Sequence, residues 1–311
     1  MSITITGGIT ISGGGWTLEA PPAGNKAIFG YGAAVDNVYV NVTNLVSNTG
    51  VVATDTAGVG TARSGLAAAG YGGDKAIFGY GATSVFADSS VSMTNKVSNT
   101  GVVASDTTGV GTIRRYLAAA GYGGDKAIFG YGYNGSTNVS ITNLVSNTGV
   151  VATDTAGVGT ARSNLAAAGY GSDKAIFGYG SGPVSITNLV SNTGVVANDT
   201  TGVGTARTQL AAAGYGGDKA IFGYGSASGY VSITNLVSNT GVVGNDVTGV
   251  GTARGSPAAA TYGTDKAIFG YGYTSVTWTA ITNLVSNTGV VASDTAGVGT
   301  ARYGLAAAAY G

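Results

Sequence analysis

Cysteine and histidine are both absent from the 311 residues of this chain. Without thiols the chain forms neither disulfides nor thiolate metal sites, so its stability has to come from packing and hydrogen bonding. Without imidazoles it lacks the usual general bases, nucleophile dyads and zinc ligands. These absences exclude most hydrolase, metalloenzyme and redox designs. We therefore expect no enzymatic activity, no cofactor and no metal site.

Charged residues are also scarce, with 14 of each sign and a formal net charge of zero. Such a chain has no basic field to neutralise a phosphate backbone, so nucleic acid is not an expected partner. Glu occurs once, at Glu19, and Met twice, so residues that favour helices are rare. The N-terminal MSITITGGITISGGG lacks a cationic start and an uninterrupted apolar run, so we expect neither a signal peptide nor insertion into a membrane.

Glycine and strand-forming residues dominate what is present, with 56 glycines among abundant Ala, Val, Thr, Ser, Asn and Tyr. The string KAIFGYG occurs six times, from Lys26 to Lys266, at spacings of 45 to 51 residues. This period is typical of a propeller blade. The composition and the repeat together predict an all-β repeat protein.

Each repeat unit is predicted to contain four strands, which in the third copy span 114–122, 125–132, 139–148 and 149–159. The turns YGG and SNTG separate them, and Asn and Gly tolerate the positive φ that hairpins require. We refer to the four segments as the first to fourth strands of a unit.

The size of the side chains changes along a unit. The first strand contains the run AAAG, as expected where six strands crowd around a narrow axis. Ile128 and Phe129 of the second strand, with Leu144 and Val150 further out, are expected to fill the broader space between neighbouring units.

The two ends of the chain are out of phase by one strand. Pro21 and Pro22 stand where the first copy should have its first strand, and the chain ends with an unpartnered first strand at 302–310. The offset predicts a six-bladed β-propeller of four-stranded antiparallel blades over residues 25–311, closed by pairing the C-terminal strand into the first blade. The alternative is a β-solenoid with two coils of about 20 to 25 residues per unit, which gives no reason for the offset.

The units resemble kelch repeats. Arg162 followed by SNLAAAGYG resembles the kelch arginine and first strand, and DKAIFGYG resembles the second strand, although Tyr179 splits its glycine pair. The usual third-strand Tyr-Asp and fourth-strand Trp are replaced by Thr-Asn and small residues. The chain also resembles the repetitive kelch-like proteins of tailed bacteriophages and marine viruses, whose N-termini are similar to ITITGGITISGG. That resemblance implies a virion-associated or extracellular protein with a structural or host-contacting role.

One aspartate and one arginine recur at fixed positions in every unit. We expect each arginine to tie neighbouring strands through charge-assisted hydrogen bonds to Asp or to backbone carbonyls, because an active site is seldom present in six equal copies. No catalytic residue is predicted. The arginines are Arg63, Arg114, Arg162, Arg207, Arg254 and Arg302, and the aspartates are Asp55, Asp106, Asp154, Asp199, Asp246 and Asp294.

Sequence differences between the units fall in two places, the connection from second to third strand and the residue pair after each repeated arginine. In an antiparallel meander both places lie on one side, where loops on a rigid scaffold often carry recognition. Aromatic rings beside Asn and Ser suit stacking on sugars, and a protein partner would use the same residues. Neutral variation of exposed loops is the alternative. The candidate ligand-binding residues are Tyr39, Phe86, Tyr116, Tyr133, Asn134, Tyr230, Tyr273, Trp278 and Tyr303.

Residues 1–24 are predicted to lie outside the ring. The alternation of Ile3, Ile5, Ile9 and Ile11 predicts one or two short strands, followed by Trp16 and a Pro-Pro linker. We expect an arm for attachment to other virion proteins or for oligomerisation. Two functions follow for the whole chain: a non-enzymatic propeller whose loops contact a host-surface glycan or protein, or a purely structural or engineered symmetric scaffold without a specific ligand.

Overall fold

The computed structural model describes residues 9–12, 15–18, 25–86 and 89–311. In this part of the chain the regular structure includes twenty β-strands and the 3-10 turn Val35–Asn37. The strands are β1 Ile9–Ser12, β2 Gly15–Leu18, β3 Lys26–Gly30, β4 Thr43–Val46, β5 Ala67–Tyr71, β6 Lys75–Gly79, β7 Thr94–Val97, β8 Ala118–Tyr122, β9 Lys126–Gly130, β10 Thr142–Val145, β11 Ala166–Tyr170, β12 Lys174–Gly180, β13 Val184–Val190, β14 Ala211–Tyr215, β15 Lys219–Gly223, β16 Thr234–Val237, β17 Ala258–Tyr262, β18 Lys266–Tyr273, β19 Trp278–Val285 and β20 Ala306–Tyr310.

Eighteen of the strands form six three-stranded antiparallel sheets, each with a first, a second and a third strand in that order. The all-β class and the sixfold repeat are therefore confirmed. In chain order of their second strands, units 1 to 6 are β20-β3-β4, β5-β6-β7, β8-β9-β10, β11-β12-β13, β14-β15-β16 and β17-β18-β19. The other two strands form a separate hairpin in which Ile9 lies opposite Leu18 and Ile11 opposite Trp16. The short strand predicted around Ile9 and Ile11 is thus present as β1, whereas Trp16, predicted to follow the strands, lies in β2. Ile3, Ile5 and the Pro-Pro linker lie outside the described residues.

The second strand of each unit is buried on both faces, because a neighbouring sheet covers each side. In β9, Ala127, Ile128 and Phe129 have no exposed surface. Each apolar cluster combines two successive units, as where Ile128 of unit 3 packs with Phe177 and Val190 of unit 4. The core therefore lies between sheets.

The prediction for Val150 is wrong, since its side chain is 61% exposed. Val151 forms the bridge to Val145 and packs against the core instead. Successive side chains of an extended segment point to opposite sides, so the preceding valine points outward.

The predicted fourth strand does not form a continuous ladder in the described units. In unit 3, bridges join Thr142 to Thr155 and Val145 to Val151. Two residues separate the bridges on the third strand, and three separate them on the fourth segment. The extra residue interrupts the ladder as a bulge does. The side chain of Asn143 fills the gap, because its Nδ2 donates to Ala152 O at 3.0 Å and to Asp154 Oδ1 at 2.9 Å.

The C-terminal strand β20 pairs with β3, in a register that runs from Ala306 opposite Gly30 to Tyr310 opposite Lys26. The first strands contact one another in succession, and β20 contacts both β17 and β5. Backbone hydrogen bonds also join successive YGG turns, such as Gly72 N to Asp125 O at 2.7 Å. The same series includes Gly311 N to Asp74 O at 2.8 Å, from unit 1 to unit 2.

Candidate functional site

The repeated arginines lie between units and are fully buried. At Arg162, Nε donates to Tyr179 O at 2.7 Å, Nη1 to Thr160 O at 3.0 Å and Nη2 to Asn188 Oδ1 at 2.6 Å. The guanidinium carbon lies 4.5 Å from the ring centroid of Tyr131 in the preceding unit. A guanidinium with no exposed surface cannot touch a ligand, so this geometry gives the arginine a structural role.

The aspartate that completes this network lies in the fourth segment of the same unit, far along the chain from the arginine. Asp199 Oδ1 lies 3.8 Å from Arg162 Nη1, and Oδ2 accepts a 2.6 Å hydrogen bond from Thr160 Oγ1. Asp154, which precedes Arg162 by eight residues, instead lies 3.9 Å from Arg114. The repeated Arg and Asp are therefore joined within a unit, whereas the aspartate eight residues before each arginine belongs to the preceding unit. Arg114 departs from the pattern, since its Nε and Nη1 are buried without a hydrogen-bond partner in the described structure.

The tyrosine that splits the glycine pair packs beneath the arginine of the next unit. Tyr131 is fully buried with φ of 64°, and its hydroxyl donates to Val158 O at 3.1 Å. Its ring meets that of Phe177 with centroids 5.1 Å apart. Burial raises the pKa of Tyr131 to about 12. The departure from the kelch pattern thus forms part of the contact between units.

The repeated aspartates make the stability of the fold depend on pH. Burial of the Asp199 carboxyl opposes ionisation, but hydrogen bonds from Thr160 and Asn188 and the charge of Arg162 outweigh it and hold its pKa below the ordinary value. A depressed pKa in the folded state contributes stability above the unfolded pKa of about 3.9, and that contribution is lost as the pH falls through the folded pKa.

We expect the urea midpoint to fall as the pH is lowered from about 5 to about 2. The measurement is urea unfolding followed by circular dichroism across this range. Asp199→Asn should reduce the slope of midpoint against pH, and replacing all six repeated aspartates should reduce it further. An unchanged slope in both variants would contradict this assignment of the pH dependence.

The two variable segments lie side by side. Isolated bridges pair Arg115 with Tyr133 and Gly255 with Tyr273, and each bridge joins the residue after a repeated arginine to the residue after a KAIFGYG string. We call the side formed by these segments the loop face. Its described segments are 33–40, 82–86, 89–91, 133–139, 181–183, 226–230 and 273–278, with the pairs 64–65, 115–116, 163–164, 208–209, 255–256 and 303–304.

Four of the predicted ligand-binding residues form one aromatic cluster on the loop face. The ring centroid of Tyr273 lies 6.1 Å from that of Tyr230, 5.3 Å from Trp278 and 6.1 Å from Tyr303. All four side chains are partly exposed. The ring of Tyr230 lies against Gly255, where a Cβ would collide with it. These residues come from units 5, 6 and 1, so packing of three units assembles the cluster.

A second group surrounds Arg115, which is not among the predicted site residues. Its guanidinium carbon lies 5.6 Å from the ring centroid of Tyr116 and 5.4 Å from that of Tyr133. Its Nη1 donates to the backbone carbonyl of Phe86 at 3.0 Å, and the Phe86 side chain is 75% exposed. The signal that could have identified Arg115 is its position, because it is the one arginine outside the repeat pattern.

Two further predicted residues have different roles. Asn134 Oδ1 accepts hydrogen bonds from Ser136 N at 2.9 Å and Thr137 N at 2.8 Å, so it stabilises its own loop. Tyr39 is half-buried, and burial, followed by the nearby Tyr116 and Tyr303, raises its pKa to about 12. The loop that carries Tyr39 contacts the aromatic cluster, because the Tyr303 hydroxyl donates to Asn37 Oδ1 at 2.7 Å.

The first strands line a cavity of about 280 Å³. Its walls are mainly alanine and glycine, and Lys75, Lys126, Lys174 and Lys219 lie at its edge. Each of these lysines is paired with the preceding aspartate, with Nζ to Oδ1 distances of 2.5 to 3.0 Å. Because these charges are already neutralised, the cavity offers little attraction to an anion.

In the described ranges, no three His, Cys, Asp or Glu side chains are grouped so that they could hold a metal ion. None of the described secondary structure is a helix with the length and apolar character needed to cross a membrane. No protein-family model matches the chain. No curated protein sequence matches it at a significant level.

Proposed function

We propose that the chain is a non-enzymatic, virion-associated kelch-like β-propeller whose loop face binds a host-surface glycan or protein. The propeller has six blades, each completed by the bridged fourth segment, and β20 closes the ring. The pairing of β20 with β3, its contacts with β17 and β5, and the hydrogen bonds between successive turns support this architecture. An elongated solenoid would separate β20 from β3.

The observation that carries the binding role is the aromatic cluster. The position of Tyr273 holds alanine in units 1 and 2 and serine in units 4 and 5, so the unit folds without an aromatic side chain there. Partly exposed rings that the repeat does not need are suited to stacking on a sugar or to packing against a protein. The polar side chains of the same loops supply hydrogen bonds at the edge of such a contact.

The virion-associated location rests on the resemblance to the kelch-like proteins of phages and marine viruses. In this proposal the N-terminal region that contains β1 and β2 attaches the propeller to other virion proteins. A binding protein on the surface of a particle needs a stable fold. Each buried arginine contributes to that stability, because it bonds within its own unit and stacks on a tyrosine of the preceding unit.

We expect the triple replacement of Tyr230, Tyr273 and Trp278 by alanine to weaken ligand binding at least about tenfold, because stacking on each ring is lost. Binding is measured on a glycan array and on intact bacterial cells. The control replaces Ser136 and Thr137, which are exposed on the same face outside the cluster, by alanine.

Both variants should keep the far-ultraviolet circular dichroism spectrum of the original chain. Equal binding by the triple variant and the original chain would contradict a role for the cluster. If the original chain itself bound neither glycans nor cells, the purely structural or engineered scaffold would be favoured.

A further inference from the structure

Arg115 is the cationic side chain of the loop face. The chain has seven arginines, and the six repeated ones are fully buried between units. Each second strand begins with its lysine, at the end remote from the loop face. Lys96 also lies away from this face, since its Nζ donates to Thr148 O in an SNTG turn. Among the described residues, positive charge on this face therefore comes from one guanidinium.

The position of this guanidinium is restrained by its neighbours. Arg115 and Tyr133 exchange backbone hydrogen bonds of 3.0 and 2.9 Å, which fix the register of the two segments. The rings of Tyr116 and Tyr133 both lie within cation–π range, and the Nη1 bond to Phe86 O fixes the orientation further. A guanidinium has five N–H donors in a planar fork that matches a carboxylate. A side chain restrained in this way loses less conformational entropy on binding than a mobile one.

The guanidinium is continuous with the aromatic cluster. Tyr303 belongs to the cluster, and its hydroxyl donates to Asn37 Oδ1 at 2.7 Å in the loop that carries Tyr39. Gly304 O, next to Tyr303, accepts a 2.8 Å hydrogen bond from Gly65 N, and Gly65 O accepts one of 2.7 Å from Tyr116 N, so the backbone connects the two groups. One surface thus has stacking rings at one end and a positive charge at the other.

We infer that Arg115 forms an anion subsite of the loop face and that the ligand is a saccharide bearing a carboxylate, whose sugar rings stack on the aromatic cluster. This inference rests on the proposed function, because it names the ligand class of the same face. Sialic acids and uronic acids both carry a carboxylate, and the experiment below distinguishes between these two classes of ligand.

The test uses sialylated and uronate-containing oligosaccharides, each paired with its carboxyl-reduced counterpart, in isothermal titration calorimetry. We expect the original chain to bind at least one carboxylate about tenfold or more tightly than its reduced form, because a charge-assisted pair is lost on reduction. Arg115→Gln should remove this preference. Arg115→Lys should retain part of it, because the charge remains but the fork is lost. The control is Thr208→Ala, at the equivalent position of unit 5.

Equal affinity for the acidic and the reduced ligands, or a preference that survives in Arg115→Gln, would overturn the anion subsite. The proposed function would still stand in that case if the aromatic triple variant lost binding. Absence of binding to every saccharide would overturn the inference. If the loop face bound a host-surface protein instead, the proposed function would still hold, with a protein as the ligand. Arg115→Lys serves as the second variant should Arg115→Gln fail to fold.

Discussion

Replacing Arg162 with alanine is expected to lower the free energy of unfolding by about 3 to 5 kcal/mol. The replacement removes three hydrogen bonds and leaves Asn188 Oδ1 and the carbonyls of Tyr179 and Thr160 without their donor. Each buried acceptor left unsatisfied costs about 1 to 3 kcal/mol. The variant also leaves a cavity above the ring of Tyr131 in a core that otherwise has close packing.

The measurement is urea unfolding of the original chain and the variant, followed by tyrosine fluorescence and circular dichroism. Arg115→Ala is the matched control, because it removes the same side chain from a partly exposed position with a single hydrogen bond, to Phe86 O. We expect the control to lose less than about 1 kcal/mol. Equal losses in the two variants would contradict the structural role of the buried arginine network.

Ending the chain at Gly304 is expected to abolish cooperative unfolding of the monomer. The truncation removes β20 and leaves the edge of β3 without a partner. It also removes the buried side chains of Leu305 and Tyr310, which pack against neighbouring units. Exposed strand edges pair with other chains, so we expect oligomers or aggregates in size-exclusion chromatography with light scattering.

A peptide of residues 302–311 added to the truncated chain should restore the monomer and a sharp urea transition. The control peptide carries Ala308→Asp, which places a charge at a buried position of the strand. A truncated chain that remained monomeric with the original urea midpoint would show that β20 contributes little to the stability of the fold.

Periodicity and turn chemistry were enough to predict the units, their first three strands and the pairing of β20 with β3. The units and their strands depend on local sequence signals that recur six times, and the pairing was predicted from the one-strand offset between the two ends of the chain. The fourth strand was harder to predict, because its ladder is interrupted where Asn143 bonds to Ala152 O and Asp154. Nothing in the spacing of the residues indicates that a side chain replaces backbone pairs there.

The partner of each repeated arginine was also beyond the sequence. Asp154 is close in sequence to Arg162, yet the structure pairs Arg162 with Asp199, because unit 4 folds so that its fourth segment lies beside the start of its first strand. The aromatic residues of the loop face were predicted from sequence differences between the units. Their division into the cluster and the Arg115 group could not be predicted, because it depends on how units 5, 6 and 1 pack. Arg115 was missed because a single occurrence gives no periodic signal.

The partnership of β20 and β3 has a consequence for how the chain selects its native topology. All six second strands contain the same KAIFG sequence, so composition cannot direct the last strand to its partner. Each of the other second strands follows its own first strand after one tight turn, and such hairpins form within microseconds. β3 remains unpaired on one edge until β20, at the other end of the chain, reaches it. Closing a loop that spans almost the whole chain is entropically costly. β20 therefore pairs with β3 because β3 is the one second strand that still lacks a first-strand partner. At high protein concentration the unpaired β3 of one molecule can also pair with β20 of another, which gives a domain-swapped dimer.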